Sequence, residues 1–249
     1  MVSKIDWCTH TANPFHGCEH ECEFCYARRF AHRLAGNPRT AYHALRQMGV
    51  DPFTPAYSRA AMKRLDDELA RARKPRRVFL GSMGDLGGAW PYERVDYPGV
   101  EESPTLVQLE VRELIASHPR HTFLLLTKNP AGLLEQWPDN AHVGVSITDP
   151  STEWHRVQVL VDQVRAGVLW ASVEPLARAR AYAMCAPKWG QLDWVVIGLE
   201  TGPGRPKGEE LEARRDCARV LTGHLMDVGV PVFVKENVFG KVSRMRQLP

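Results

Sequence analysis

Residues 122–127 read Thr122-Phe123-Leu124-Leu125-Leu126-Thr127, and residues 142–147 read His142-Val143-Gly144-Val145-Ser146-Ile147. Both runs are short, apolar and rich in Val, Leu, Ile and Phe, the pattern of strands buried on both faces. Runs of the same kind occupy residues 77–81, 169–173, 194–197 and 232–235, with a weaker one near residues 4–7. Amphipathic stretches lie between them. In residues 57–73, Met62, Leu65 and Leu69 recur at helical spacing. Residues 104–117 begin on Ser103 as a predicted N-cap with Pro104 in the first turn. Residues 151–166 and 209–228 complete the set, the former with Asp149 or Ser151 available as a cap. Strand and helix in steady alternation predict parallel strands joined by right-handed crossovers. Six or seven such units predict an α/β fold of the partial or full TIM-type (β/α) barrel. A doubly wound open sheet is the alternative, because closure is not written in the sequence.

The chain has 249 residues, enough for one large α/β domain. One domain spanning 1–249 is expected, with a Gly/Pro-rich loop insertion at 86–104 and a loose polar tail at 241–249. A net charge of +3 permits a nucleic-acid partner without demanding one, since no long Lys/Arg block occurs. The densest basic stretch, Arg71 to Arg77, joins a helical pattern to a strand-like one and reads as a solvated helix end. No run of 18 apolar residues occurs, so no membrane span is expected. Residues 1–6 lack the regions of a signal peptide, which predicts a cytoplasmic protein.

In parallel α/β folds the active site forms beyond the carboxyl ends of the strands. The residues that follow the predicted strands are Ser82 and Asp85, Thr127 and Lys128, Ser146 and Thr148, then Glu174, Glu200 and Lys235. Several strands therefore end in hydroxyl or ionisable groups that would meet on one rim. Helix caps and loops are polar in any case, but Glu174, Glu200 and Lys235 abut strongly apolar runs.

In a reducing compartment, clustered cysteines read as metal-binding or catalytic. Three of the six fall within residues 18–25, in Gly17-Cys18-Glu19-His20-Glu21-Cys22-Glu23-Phe24-Cys25-Tyr26. The spacing is C-x3-C-x2-C. Thiolates are the usual ligands of Fe–S clusters, and three on a four-iron cluster leave one iron open to an external ligand. Zinc is the competing reading, with His16, His20 or Cys8 as a fourth donor. Cys8, Cys185 and Cys217 are scattered and receive no role.

The C-x3-C-x-aromatic-C motif resembles the cluster loop of the radical S-adenosylmethionine superfamily, in particular a phage and bacterial branch similar in layout to spore photoproduct lyase. The resemblance continues through Gly81-Ser82-Met83-Gly84-Asp85, Leu126-Thr127-Lys128, Ser172-Val173-Glu174-Pro175-Leu176 and Pro231-Val232-Phe233-Val234-Lys235. Where that branch often has Gly-Gly-Glu-Ser-Gly, this chain has Gly198-Leu199-Glu200-Thr201-Gly202. The resemblance implies a radical SAM-like barrel with a 4Fe-4S cluster on Cys18, Cys22 and Cys25. It implies S-adenosyl-L-methionine on the open iron, cleaved to a 5′-deoxyadenosyl radical. It assigns Tyr26, Ser82, Met83, Asp85 and Ser146 to the cofactor. Glu174, Glu200 and Lys235 become candidate catalytic contacts, and an electron donor such as flavodoxin or ferredoxin is required.

The substrate expected on this resemblance is a modified, thymidine-derived base rearranged or isomerised during phage DNA hypermodification, flipped out or met single-stranded. Trp90, Tyr92 and Tyr97 are expected as exposed aromatics for it. A damaged DNA base, a tRNA base or a peptide is a second reading. A non-catalytic zinc- or cluster-stabilised nucleic-acid-binding protein is a third.

Overall fold

In the computed structural model, which describes residues 3, 5–176, 189–200 and 205–240, parallel strands and helices alternate along the chain. Their order is β1 (His10–Ala12), β2 (Phe15–His16), α1 (Tyr26–Leu34), α2 (Ala41–Gln47), β3 (Ala56–Tyr57), α3 (Arg59–Arg71), β4 (Arg77–Leu80), β5 (Tyr92–Arg94) and β6 (Glu101–Glu102). Then follow α4 (Pro104–Ser117), β7 (Thr122–Thr127), β8 (Ala141–Ile147), α5 (Pro150–Glu153), α6 (His155–Gln163), β9 (Val168–Val173), β10 (Trp194–Ile197), α7 (Gly208–Asp227), β11 (Val232–Val234) and α8 (Glu236–Phe239). The expected tail 241–249, Cys185 and Thr201 lie outside the described residues.

Seven strands form one sheet in the order β1-β4-β7-β8-β9-β10-β11, every neighbouring pair parallel. Spatial order follows chain order throughout. A doubly wound sheet must reverse direction at a switch point, so that alternative is overturned. Winding in one direction puts every crossover helix on the same side. Met62, Leu65 and Leu69 of α3, Val107 and Val111 of α4, Leu160 of α6 and Leu221 of α7 all pack into the one core on that side. Among the described residues the opposite face packs without any helix, and the sheet curls around it into a half-barrel.

Along each strand the inward positions recur every second residue. One cross-strand row reads Leu126, Gly144, Trp170, Trp194. The next reads Ser146, Ser172, Val196, Phe233. Two residues beyond these come Glu174, Gly198 and Lys235. The inside thus grades from an aromatic floor to a polar mouth. On the floor, the Trp170 and Trp194 rings stack at 5.0 Å, and Trp7 packs edge-on against Trp170 at 5.2 Å. Cys8 is buried beside Trp7 in this floor and does not line the mouth.

Three expectations are corrected. The first sheet strand is β1 at 10–12 rather than near 4–7, where Trp7 instead plugs the floor. The stretch 86–104 is not a plain loop: β5 and β6 pair antiparallel and join β2 and β3 in a second, four-stranded sheet. Tyr92 is consequently fully buried in β5, its hydroxyl donating to the Asp85 carbonyl at 2.9 Å, so it presents no surface ring.

His142, on β8, is 8% exposed, and its Nδ1 finds no hydrogen-bond partner among the described residues. Burial, with a smaller push from the Arg77 charge, holds its pKa down to about 4. The unfolded chain then binds a proton that the folded chain refuses, so stability falls as pH drops from about 6.5 towards 4. The whole shift is worth roughly 3 kcal/mol. His16, also held near 4 by burial, acts with the same sign. His142→Gln should therefore remove part of the slope of unfolding free energy between about pH 6.5 and 4.5, above most carboxylate titration. An unchanged slope in urea titrations would show that His142 charges freely in the folded protein.

Candidate functional site

The sequence between β2 and α1 builds the cysteine loop. Gly17 has φ +78°, and a Cβ there would sit 2.3 Å from the Thr54 carbonyl oxygen, so only glycine lets the loop leave β2 against the 53–54 backbone. The loop ends on Cys25, the N-cap of α1, whose Sγ accepts from the Arg28 N–H at 3.3 Å. Cys18, Cys22 and Cys25 all line one cavity of about 440 Å³ at the carboxyl end of the half-barrel. That size is ordinary for a small-molecule or cofactor site.

Asp85 holds the mouth together. It is 5% exposed. Oδ1 accepts from the Gly87 N–H at 3.0 Å, and Oδ2 lies 2.8 Å from the Lys128 N–H and 2.7 Å from His20 Nε2. One carboxylate thus ties the loop after β4 to the loop after β7 and to the cysteine loop. His20 also packs edge-on against Trp90, ring centres 5.0 Å apart.

Across the mouth, Lys235 Nζ donates to Glu174 Oε2. Gly198 lies between their strands, and a Cβ there would be 2.9 Å from both Glu174 Oε1 and the Lys235 Cδ. The missing side chain is what lets the lysine cross to the glutamate. Lys128 Nζ donates to Thr148 Oγ1 at 3.1 Å and stands 5.6 Å from the Phe24 ring centre. The Tyr26 hydroxyl donates to the Ser82 carbonyl at 2.5 Å, and Ser82 Oγ is 3.2 Å from Asn13 Oδ1.

Burial pushes the Cys18 thiol up to about 11, and the Asp85 charge and the other two thiols add to it. Burial also raises Cys22, against which the Lys128 ammonium works. Ionising these thiols together at a half-buried wall is therefore costly unless a cation balances them. Among the described residues no three His, Cys, Asp or Glu side chains converge as the ligands of a single metal ion. A tetrahedral zinc needs four donors about 2.0–2.3 Å from one point. A four-iron cluster takes one thiolate per iron.

Of the residues singled out in the sequence, Cys18, Cys22, Cys25, Tyr26, Ser82, Asp85, Ser146, Glu174, Glu200 and Lys235 line this cavity together. Met83 does not: it is buried between α1 and Phe53, with Ala27, Ala31 and Tyr42. Sequence reasoning missed Ser172 and the cavity role of His20. The two-residue period from Trp170 through Ser172 to Glu174 is the signal for the serine; the histidine carries none, because its partner Asp85 is 65 residues away.

A family model described as "Protein of unknown function (DUF5131)" matches residues 2–243. No curated protein and no solved structure matches the chain.

Proposed function

The chain belongs to the DUF5131 family, and we propose that it is a radical S-adenosylmethionine enzyme that rearranges or isomerises a modified, thymidine-derived base of DNA. The observation that carries the reading is the placement of the C-x3-C-x2-C thiols on the wall of one cavity at the carboxyl mouth of a parallel half-barrel.

Cys18, Cys22 and Cys25 would hold the 4Fe-4S cluster. When bound, the cluster and S-adenosyl-L-methionine would supply one-electron cleavage and a carbon radical able to take a substrate hydrogen. The chain itself binds, orients and shields. Asp85 fixes the cysteine loop through His20. The Tyr26 ring stands at the wall, held by its bond to the Ser82 carbonyl. Ser146 and Ser172 offer hydroxyls halfway down the cavity, while Glu174, Lys235 and Glu200 stand higher in the mouth. Trp7 and Phe79 line its lower end. An external low-potential donor, a flavodoxin or ferredoxin, would deliver the electron.

The test is anaerobic purification, measurement of iron and sulfide, then addition of dithionite and S-adenosyl-L-methionine. About four irons per chain and release of 5′-deoxyadenosine are expected. Incubation with thymidine-hypermodified DNA, followed by nucleoside chromatography with mass detection, should show a new peak of unchanged mass. A colourless zinc protein that releases no 5′-deoxyadenosine would sink the radical reading. Turnover of RNA or peptide with an unchanged DNA nucleoside profile would move the substrate elsewhere.

A further inference from the structure

Helix α1 leaves the cavity wall as soon as the cysteine loop ends. Its first residue, Tyr26, lines the cavity yet is 57% exposed. Arg29, Phe30 and Arg33 follow at i+3, i+4 and i+7, so all four share one helix face. Phe30 is 40% exposed, with the Arg33 guanidinium 4.3 Å from its ring centre. Residues 26–50 contain Arg28, Arg29, Arg33, Arg39 and Arg46 and no Asp or Glu. Among the described residues, Arg29, Arg33, Arg39 and Arg46 form no ion pair with an acidic side chain, whereas Arg214, Arg215 and Arg219 of α7 each pair within their own helix. An exposed aromatic and arginine stripe therefore runs outward from the cavity mouth; the acid nearest to it in sequence on its C-terminal side, Asp51, pairs with His32 at 3.2 Å rather than with its arginines.

We infer that this face of α1 is the docking track for a single-stranded or locally opened nucleic-acid segment, which it guides so that one base enters the cavity. Aromatic faces stack bases while arginines track the phosphates. The charge layout favours a narrow strand over an acidic protein. Glu19, Glu21 and Glu23 are all exposed on the adjoining cysteine loop. A protein partner covering about 800 Å² of this surface would have to cover them together with α1, whereas a strand touches a narrower strip.

This inference rests on the nucleic-acid reading of the cavity, but its test needs no cluster chemistry. Binding of a fluorescent single-stranded oligodeoxynucleotide to the anaerobically purified protein is followed by anisotropy across a salt series. Arg29→Gln/Arg33→Gln should weaken binding about tenfold or more at low salt, and should reduce the log–log salt slope by about 1.4, at roughly 0.7 per phosphate contact on a single strand. Phe30→Ala should weaken binding roughly fivefold or more, the loss of one stacked base. Arg71→Gln, on α3 and 78% exposed in its side chain, should bind like the parent. Melting temperatures equal to the parent's establish that the variants fold. No binding by the parent, or a double variant with the parent's affinity and slope, would overturn the inference. So would intact oligonucleotide binding with lost reduction by a flavodoxin, which would assign the face to the electron donor. Failure to release 5′-deoxyadenosine, by contrast, bears on the enzyme reading and leaves this face standing.

Discussion

Replacing Cys25 by serine is expected to abolish cluster binding and 5′-deoxyadenosine release while leaving the apo fold as stable as the parent. On the proposed reading Cys25 has two tasks, which serine separates. As N-cap of α1 its sulfur accepts the Arg28 N–H, and serine is among the favoured residues at that position. The cap therefore survives. As a soft thiolate it would hold one iron, and a serine hydroxyl is a poor replacement for that ligand. Loss of a mere supporting partner costs roughly 10–100-fold in metal affinity, so loss of the ligand itself should cost more. Cys25→Ala removes both tasks and should add about 1 kcal/mol of destabilisation in the apo protein. Iron content and urea melts of the two variants, with Cys217→Ser as control, read the tasks independently. Full iron occupancy in Cys25→Ser would remove Cys25 from the ligand set and with it the three-thiol reading.

The parallel sheet was legible because its strands are continuous apolar runs, and the rim was legible because a polar residue directly after such a run must lie at the strand's carboxyl end. Glu174 and Lys235 were found in that way, and the structure brings them into contact. What the sequence concealed falls into two kinds. Strands two or three residues long, such as β2, β3 and β5, show too little alternation to reveal a period, so the second sheet and the burial of Tyr92 went unread. Contacts between distant residues leave no local mark at all. Asp85 reads as a cavity residue, yet all the bonds of its carboxylate go to Gly87, Lys128 and His20. A cysteine acting as a helix cap is equally unreadable, since thiols are not among the preferred caps. The cysteine motif suggested a chemistry, and the strand order put its three thiols on the cavity wall.

The floor beneath that place carries the largest expected effect on stability. Gly144 and Trp170 are direct cross-strand partners. A Cβ on Gly144 would lie 2.5–2.7 Å from three atoms of the Trp170 indole, which is fully buried, stacked on Trp194 and donating from Nε1 to the His142 carbonyl at 3.1 Å. The ring cannot retreat without breaking that bond and the stack, so the clash is not relieved by a flexible side-chain end. Gly144→Ala should therefore destabilise by roughly 1–3 kcal/mol or more, the range for overpacking a close-packed interior. Trp170→Ala should cost about 3–5 kcal/mol through the cavity it leaves. The two changes occupy the same space, so they should not add. In the Trp170→Ala background the alanine at 144 faces a void, and its penalty should vanish or reverse, giving a coupling of about 1–3 kcal/mol in a double-mutant cycle. Additive costs would mean that the indole does not rest on Gly144. The functional consequence follows from the layering. Trp170 lies one inward position below Ser172 and two below Glu174, so a displaced ring shifts the polar mouth. Gly144→Ala protein that still folds should therefore bind S-adenosyl-L-methionine more weakly than the parent, with its three cysteines untouched.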